Sequence, residues 1–305
     1  MNARASQSED SRTDAEEDDP LELPMLYLDT LWVQVTGTVC NIACKHCFIS
    51  CGPKVETHAV MAREQVREAL DDGVSAGMRA VWFTGGEPFL HPEILALIDD
   101  ALARAPLGIL TNGMLIDAAL AEALGQRFRE APYNLEIRVS LDGCTEAQND
   151  RVWGRGVFAK ACEGIRQLAA QGVDPIVAVS LLDDEAAELQ QQRFVELLRS
   201  LGVDKPRVKW IPPFRIGREA SRRGGRGYQV WERLTDEEVA DPEAPHRLQC
   251  GTSRCVTSEG VFACPILIND ARWRMGDRVS EALRPHRVDH RACHTCWVEA
   301  FSCSA

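Results

Sequence analysis

The chain has 305 residues, 45% hydrophobic and 26% charged, enough for a sizeable core in one large α/β domain or one domain with a small appendage. Its net charge of −12 argues against a nucleic-acid partner, which needs a basic face, and no run of about 18 apolar residues offers a membrane span. The first residues are rich in Ser, Asp and Glu rather than basic and then apolar, so they do not read as a secretory signal, and a cytoplasmic location is expected.

Residues 1–20 carry Glu9, Asp10, Asp14, Glu16, Glu17, Asp18 and Asp19 with almost nothing apolar. Such a segment cannot bury enough surface to order itself, so residues 1–25 are expected to form a disordered acidic tail. From residue 30 the pattern alternates. Short apolar runs predict strands at 31–36, 80–84, 107–111, 135–141, 176–182 and 207–211. Between them, helical spacing predicts helices over 62–76, 92–104, 117–129, 158–171 and 185–201. His91-Pro92-Glu93 marks a helix start, and Gly73, Gly172 and Gly202 mark helix ends. Strands and helices in alternation imply an α/β fold with a parallel sheet, open or curled into a partial (βα)6 TIM-like barrel. Sites in such folds lie on the loops after the strands.

Residues 30–214 are therefore expected to form the core domain, residues 215–245 a linker, and residues 246–305 a small C-terminal cysteine-rich domain. The Gly- and Arg-rich run 215–227 reads as a mobile connector. Its alternative reading is an arginine patch (Arg222, Arg223, Arg226) for an anionic substrate or acidic peptide.

Twelve cysteines need a purpose. In a chain without a secretory signal, clustered cysteines more often bind metal or do redox work than form disulfides. Four lie between Cys40 and Cys51 and six between Cys250 and Cys303, which points to two metal-bearing regions. Cys40, Cys44 and Cys47 crowd one loop after the first strand, and three soft thiolates there suit an iron–sulfur cluster. A four-iron cluster so held would keep one iron open. Cys51 falls outside that spacing and reads as a buried thiol beside the cluster. Cys144 and Cys162 read as small core hydrophobes, and His58 and His91 as surface or loop residues.

With Cys40-x3-Cys44-x2-Cys47 after the first strand, Gly85-Gly86-Glu87-Pro88 after the second, Thr111-Asn112-Gly113 after the third and Ser140-Leu141-Asp142-Gly143 after the fourth, the chain resembles the radical S-adenosylmethionine (SAM) enzymes over roughly residues 30–212. The resemblance implies a [4Fe–4S] cluster on Cys40, Cys44 and Cys47, with SAM on the open iron. Gly85 and Gly86 would let the strand end approach the methionine moiety, Pro88 closing that motif, and Glu87 would accept hydrogen bonds from the SAM ammonium. Asn112 belongs to the same set of SAM contacts. Ser140 and Asp142 would bond the ribose hydroxyls, and His46 and Phe48 would flank the adenine. Reductive cleavage of SAM would yield a 5′-deoxyadenosyl radical that takes hydrogen from a substrate. The cofactors carry the hard chemistry and the protein supplies geometry.

The C-terminal run Cys250-x4-Cys255-x8-Cys264, then Cys293-x2-Cys296-x6-Cys303, with the hairpin-like Gly260–Pro265, looks like the auxiliary-cluster extensions called SPASM and its shorter relative twitch. It departs from the full SPASM pattern: the gap after Cys296 is one residue longer, and no cysteine follows Cys303. One auxiliary [4Fe–4S] cluster is expected, held by four of the six. Cys250, Cys264, Cys293 and either Cys296 or Cys303 are the natural candidates, and zinc on the same residues is the alternative.

The resemblance implies a peptide or protein substrate and an external electron donor such as flavodoxin or ferredoxin. About 30 residues before the first strand are too few for a fused leader-binding domain, so peptide recognition would need a separate partner. A small-metabolite dehydrogenase or epimerase is the alternative, and a non-enzymatic iron–sulfur or zinc protein a third reading. No catalytic acid or base is assigned.

Overall fold

The structure, a computed structural model, describes residues 22–180 and 187–299; the acidic residues 1–20 and Cys303 lie outside the described residues. Its first elements are strands β1 (Glu22–Leu23) and β2 (Thr30–Gln34), helix α1 (Arg63–Ser75), β3 (Ala80–Thr84), α2 (Ile94–Leu102), β4 (Leu107–Thr111), α3 (Ala118–Glu130) and β5 (Leu135–Ser140). There follow α4 (Glu146–Trp153), α5 (Val157–Ala170), β6 (Ile176–Ser180), α6 (Ala187–Ser200) and β7 (Arg207–Ile211). The chain then forms α7 (Gly217–Arg222), α8 (Asp236–Ala240), α9 (Ala244–Arg247), β8 (Ser253–Thr257), β9 (Gly260–Phe262), β10 (Arg274–Gly276), β11 (His286–Arg287) and α10 (Ala292–Glu299).

Nine strands join in one sheet, in the order β10-β9-β8-β2-β3-β4-β5-β6-β7. From β8 to β7 every neighbour is parallel, with Thr30 opposite Ala80, Val81 opposite Leu107 and Val177 opposite Val208. This is the partial barrel expected, and its six predicted strands fall where the apolar runs put them. Most strand positions alternate between two faces. Val81, Phe83, Ile109, Ile137, Val139, Val177 and Val179 are buried on the helical side. Their neighbours Thr84, Leu110, Arg138, Ser140, Ala178, Ser180, Lys209 and Ile211 line a cavity on the concave side.

Gly108 has a packing reason: a Cβ there would stand 2.3 Å from the Trp82 ring. Trp82 stacks on Trp32 with centroids 5.4 Å apart, and the Arg138 guanidinium lies 4.1 Å from the Trp82 centroid. The deep end of the barrel is thus filled by two indoles and a guanidinium, with Arg138 Nε donating to Glu136 Oε1 at 2.6 Å.

Several expectations differ from the structure. Residues 22–25 are not tail: β1 pairs with β11, and Leu23 is fully buried. Gly73 does not end a helix. It lies inside α1, where a Cβ would meet Met78 at 2.7 Å and Leu31 at 2.8 Å, and Gly77 at φ +83° follows the helix end instead. Helix α4 has no counterpart among the predicted helices, because EAQNDRVW has no apolar stripe; Thr145 caps it by accepting from the Gln148 N–H. Residues 215–245 are no extended connector, since they carry α7 and α8. Nor does the C-terminal region stand apart: β8 extends the barrel sheet directly beside β2. His58 and His91 are buried, each with Nε2 against a backbone oxygen, of Ile268 at 2.9 Å and Met61 at 2.8 Å.

Candidate functional site

The loop after β2 closes on itself before returning to α1. The Thr38 hydroxyl contacts the carbonyls of Val55 and His58, the Gly52 N–H donates to the Thr38 carbonyl at 3.1 Å, and the Cys40 N–H donates to the Gly52 carbonyl at 3.2 Å. Within that closure stand Cys40, Cys44, Cys47 and Cys51, all lining one cavity of about 220 Å³ at the C-terminal ends of the strands. Helix α4 braces the loop, with the Lys45 N–H donating to the Val152 carbonyl at 2.8 Å and Trp153 and Val152 packing near Ile42 and Cys44.

The thiols are not equivalent. Cys47 is held well below the usual thiol range, because the Cys44 and Cys51 thiols and the Cys51 N–H donate to its sulfur, helped by the charge of Arg218. Cys44 and Cys51 are raised in consequence, each donating to that thiolate and each desolvated. Burial pushes Cys40 up to about 11. A soft, sulfur-only donor set on one loop, facing an open cavity, fits an iron–sulfur cluster with Cys40, Cys44 and Cys47 as its holders. Cys51 is buried and shares the cavity wall, beside the triplet as expected.

The glycine pair is needed by the cysteine loop itself. A Cβ on Gly86 would stand 2.0 Å from the Val39 carbonyl oxygen, and one on Gly85, at φ +140°, 2.4 Å from Thr36 Oγ1. Both glycines line the cavity.

Glu87 is fully buried and turned away from that lining. Its Oε1 accepts from the Thr111 hydroxyl at 2.7 Å and the Phe89 N–H at 3.1 Å, and its Oε2 accepts from the Asn112 N–H at 2.8 Å. It clips the end of β3 to the end of β4. Burial pushes it up to about 7, although all three donors pull it down. Pro88 is buried at the start of a short 3-10 turn. Asn112 does face the cavity; its Nδ2 donates to Asn41 Oδ1 at 2.7 Å, and it stands 3.9 Å from Cys40 Sγ.

Ser140 lines the cavity, whereas Asp142 is spent on the chain's own groups. Its Oδ2 accepts from Trp153 Nε1 at 2.6 Å and pairs with His46 Nε2 at 3.0 Å, and its Oδ1 accepts from the Ser180 N–H at 2.6 Å. A carboxylate so engaged orients Trp153, His46 and the end of β6. Burial works against the charged form of His46, but Asp142 outweighs it and keeps the imidazole above its ordinary pKa. His46 and Phe48 both line the cavity, Phe48 tilted against Phe214 with centroids 5.4 Å apart.

Sequence reasoning missed Arg138, Lys209, Ser180, Trp153 and Arg218. The first three belong to the inward-facing sets of β5, β7 and β6, so the period-2 pattern could have found them. Arg218 could not be found that way. Its Nε donates to the Cys44 carbonyl at 2.8 Å, its Nη2 donates to the Cys51 carbonyl, and its backbone N–H donates to the Cys47 carbonyl at 3.1 Å. The arginine-patch reading of its neighbours meets a different arrangement: Arg222 and Arg223 both pair with the buried Glu219, at 2.6 Å each.

Among the C-terminal cysteines, Cys250, Cys255, Cys264, Cys293 and Cys296 are all buried. Burial and then Cys264 push Cys250 up to about 12, and burial, then Cys250 and Cys264, push Cys293 well above the thiol range. These three are therefore electrostatic neighbours. Cys296 lies one helical turn from Cys293 on α10. Cys255 is fully buried on β8, opposite Trp32. Arg254, also fully buried, donates to the carbonyls of Cys250, Ser253, Ala282 and Arg284 and shapes the turn that carries Cys250. Cys250, Cys264 and Cys293 thus lie near one another, although among the described residues no three His, Cys, Asp or Glu side chains stand close enough together to hold a metal ion.

The profile of the radical SAM superfamily matches residues 35–188, half of the chain. The chain belongs to the radical SAM superfamily. As a radical SAM protein it is an enzyme whose cofactors are a [4Fe–4S] cluster and SAM. It is 28% identical over 182 residues to the antilisterial bacteriocin subtilosin biosynthesis protein AlbA of Bacillus subtilis, covering 59% of this chain and 39% of AlbA. It is 31% identical over 197 residues to the mycofactocin maturase MftC of Mycobacterium ulcerans (64% and 48%), and 27% identical over 193 residues to the GTP 3′,8-cyclase of Petrotoga mobilis (61% and 56%). The chain spans about half the length, or less, of the curated relatives it matches.

Among solved structures, Streptococcus suis SuiB bound to S-adenosylmethionine superposes with a TM-score of 0.59 at 15% identity, over 82% of this chain and 63% of SuiB. The chain anSMEcpe with AdoMet bound gives 0.58 at 15%, over 90% and 81%. At that identity the likeness is one of fold, and it extends beyond the radical SAM core into the C-terminal region. Among the described residues no helix is long and apolar enough to cross a membrane.

Proposed function

We propose that this radical SAM enzyme modifies a peptide or protein substrate in the cavity at the C-terminal ends of its strands. The observation that carries the reading is the convergence of Cys40, Cys44 and Cys47 with Gly85, Gly86, Asn112 and Ser140 on the wall of one cavity. Cys40, Cys44 and Cys47 would hold the cluster, and Gly85, Gly86, Asn112, Ser140, His46 and Phe48 would surround SAM. Bound there, the two cofactors supply reductive cleavage of SAM and abstraction of a substrate hydrogen. Glu87 and Asp142 act behind that wall, fixing the strand ends and His46. Trp32, Trp82 and Arg138 close the deep end and keep bulk water from it.

Residues 30–214 form the radical SAM core in this reading and residues 246–305 the auxiliary region, with Cys250, Cys264, Cys293 and Cys296 holding one further [4Fe–4S] cluster. A flavodoxin or ferredoxin supplies electrons in the cytoplasm. The likeness to a bacteriocin biosynthesis protein and to a maturase favours the peptide substrate. The likeness to GTP 3′,8-cyclase favours the second reading, a small metabolite. Reduced enzyme given SAM and deuterated candidates decides between them. Deuterium should enter 5′-deoxyadenosine from a peptide; transfer from a metabolite and from no peptide would reverse the choice.

A further inference from the structure

The segment from Phe214 to Glu232 touches both cysteine regions. At one end Arg218 reaches three carbonyls of the loop, those of Cys44, Cys47 and Cys51, and its backbone N–H also lies 3.1 Å from Ser50 Oγ. The approach is close enough to require Gly217, which sits at φ +56° and whose Cβ would lie 2.2 Å from the Phe48 carbonyl oxygen. At the other end the Tyr228 hydroxyl is 2.6 Å from Thr295 Oγ1, and Thr295 lies on α10 between Cys293 and Cys296. The Arg291 guanidinium donates to the Tyr228 carbonyl at 3.3 Å. Between the two ends the segment is cross-tied. The Arg215 guanidinium lies 4.4 Å from the Tyr228 ring centroid and pairs with Glu232, and the Arg215 N–H donates to the Tyr228 hydroxyl oxygen at 3.3 Å.

We propose that residues 214–232 are a strap by which the C-terminal cysteine helix sets the shape of the cluster-binding loop, with Arg218 as the positioning residue on the loop and Tyr228 the anchor on the helix. A guanidinium fork suits this task because it holds two carbonyls at a fixed separation, which an ammonium cannot do. The proposal rests on the reading of Cys40, Cys44 and Cys47 as cluster ligands only for its consequence in iron binding; the strap itself is testable on the chain alone.

The test compares Arg218→Ala, Arg218→Lys and Tyr228→Phe in the full-length chain, with Arg226→Ala, which removes only a side-chain bond to the Arg223 carbonyl and touches neither cysteine region, as the control. Amide hydrogen exchange is read on peptides spanning residues 44–52, with the β4 and β5 peptides reporting whether each variant is folded. Iron per chain is counted after anaerobic reconstitution. Arg218→Ala should speed exchange in the loop roughly tenfold or more, because it removes two charge-assisted bonds. Arg218→Lys should fall between it and wild type, and Tyr228→Phe should speed the same loop a few-fold although it touches no loop atom. Iron should drop in the order of the exchange rates. Unchanged loop exchange in a folded Arg218→Ala variant overturns the proposal, as does a Tyr228→Phe variant indistinguishable from Arg226→Ala. A wild-type chain that takes up no iron would instead refute the functional reading, and the exchange data would still judge the strap.

Discussion

Glu87→Gln changes one atom in a fully buried carboxylate, and its cost can be worked from the three hydrogen bonds around it. If the amide oxygen keeps the Asn112 N–H, the new NH2 group faces the Thr111 hydroxyl, which can rotate to accept, and the Phe89 N–H, which cannot. One unsatisfied buried N–H costs about 1–3 kcal/mol. Against this stands the cost of ionising Glu87. Its folded value, about 7, lies above the ordinary 4.5, so the folded state binds the extra proton and loses stability as pH rises between those values. The whole loss amounts to about 3 kcal/mol, of which about 1.4 kcal/mol falls between pH 6 and pH 8.5. That window also stays clear of the isoelectric point near 5.1. The substituted amide does not titrate. Urea unfolding of reduced, cluster-free protein under anaerobic conditions should therefore show the stability of wild type minus that of Glu87→Gln falling by about 1.4 kcal/mol from pH 6 to pH 8.5. Contributions from the thiols other than Cys40, which Glu87 itself helps to raise, cancel in the difference. A signed difference that stays constant within about 0.5 kcal/mol, or that rises with pH, would refute the assignment of burial as the dominant influence on Glu87.

Reconstituted protein should hold about eight irons per chain, as two four-iron clusters, and replacing Cys293 and Cys296 by Ala should leave about four; four irons in both proteins would remove the auxiliary cluster. Gly86→Ala forces a methyl to within 2.0 Å of the Val39 carbonyl and should destabilise the chain by about 1–3 kcal/mol or more, read as a shifted urea midpoint. Asp142→Asn should lower the pKa of His46, since Asp142 is what raises it against burial; an imidazole titration by NMR that does not move, or moves up, would contradict the pairing. The same variant should cost about 1–3 kcal/mol, because one amide cannot accept from both Ser180 and Trp153 as the carboxylate does.

The barrel was legible in the sequence because its signal is local. Each of the six strands is a short apolar run, and residues two apart share a face whatever the rest of the chain does. The cysteine triplet and the strand-end motifs were legible for the same reason. What escaped were contacts between distant parts. The buried clip made by Glu87 depends on Thr111 and Asn112 lying across a sheet neighbour, and nothing in Gly-Gly-Glu-Pro says whether the carboxylate faces the cavity or the backbone. Ser253-Arg254-Cys255-Val256-Thr257 reads as polar and irregular, yet it pairs with an apolar strand of the barrel more than two hundred residues earlier. Arg218 sat in a Gly- and Arg-rich run whose composition signals solvent, and only tertiary placement turns it onto the loop. Helix α4 failed the periodicity test because its apolar residues, Val152 and Trp153, are gathered at one end, against the cysteine loop.

That pairing of β8 with β2 bears on the order in which the protein comes into being. Strand β2 carries the chain into the cluster-binding loop, and on the ribosome it finds β3 early. Its other edge pairs with β8, so until residue 253 has been made an apolar strand exposes a row of unpaired N–H and C=O groups beside the thiols of the loop. Synthesis of β8 closes the edge and joins the C-terminal cysteine region to the sheet that carries the first thiols. Metal loading before that moment would meet a half-built sheet, and loading after it would meet a finished one.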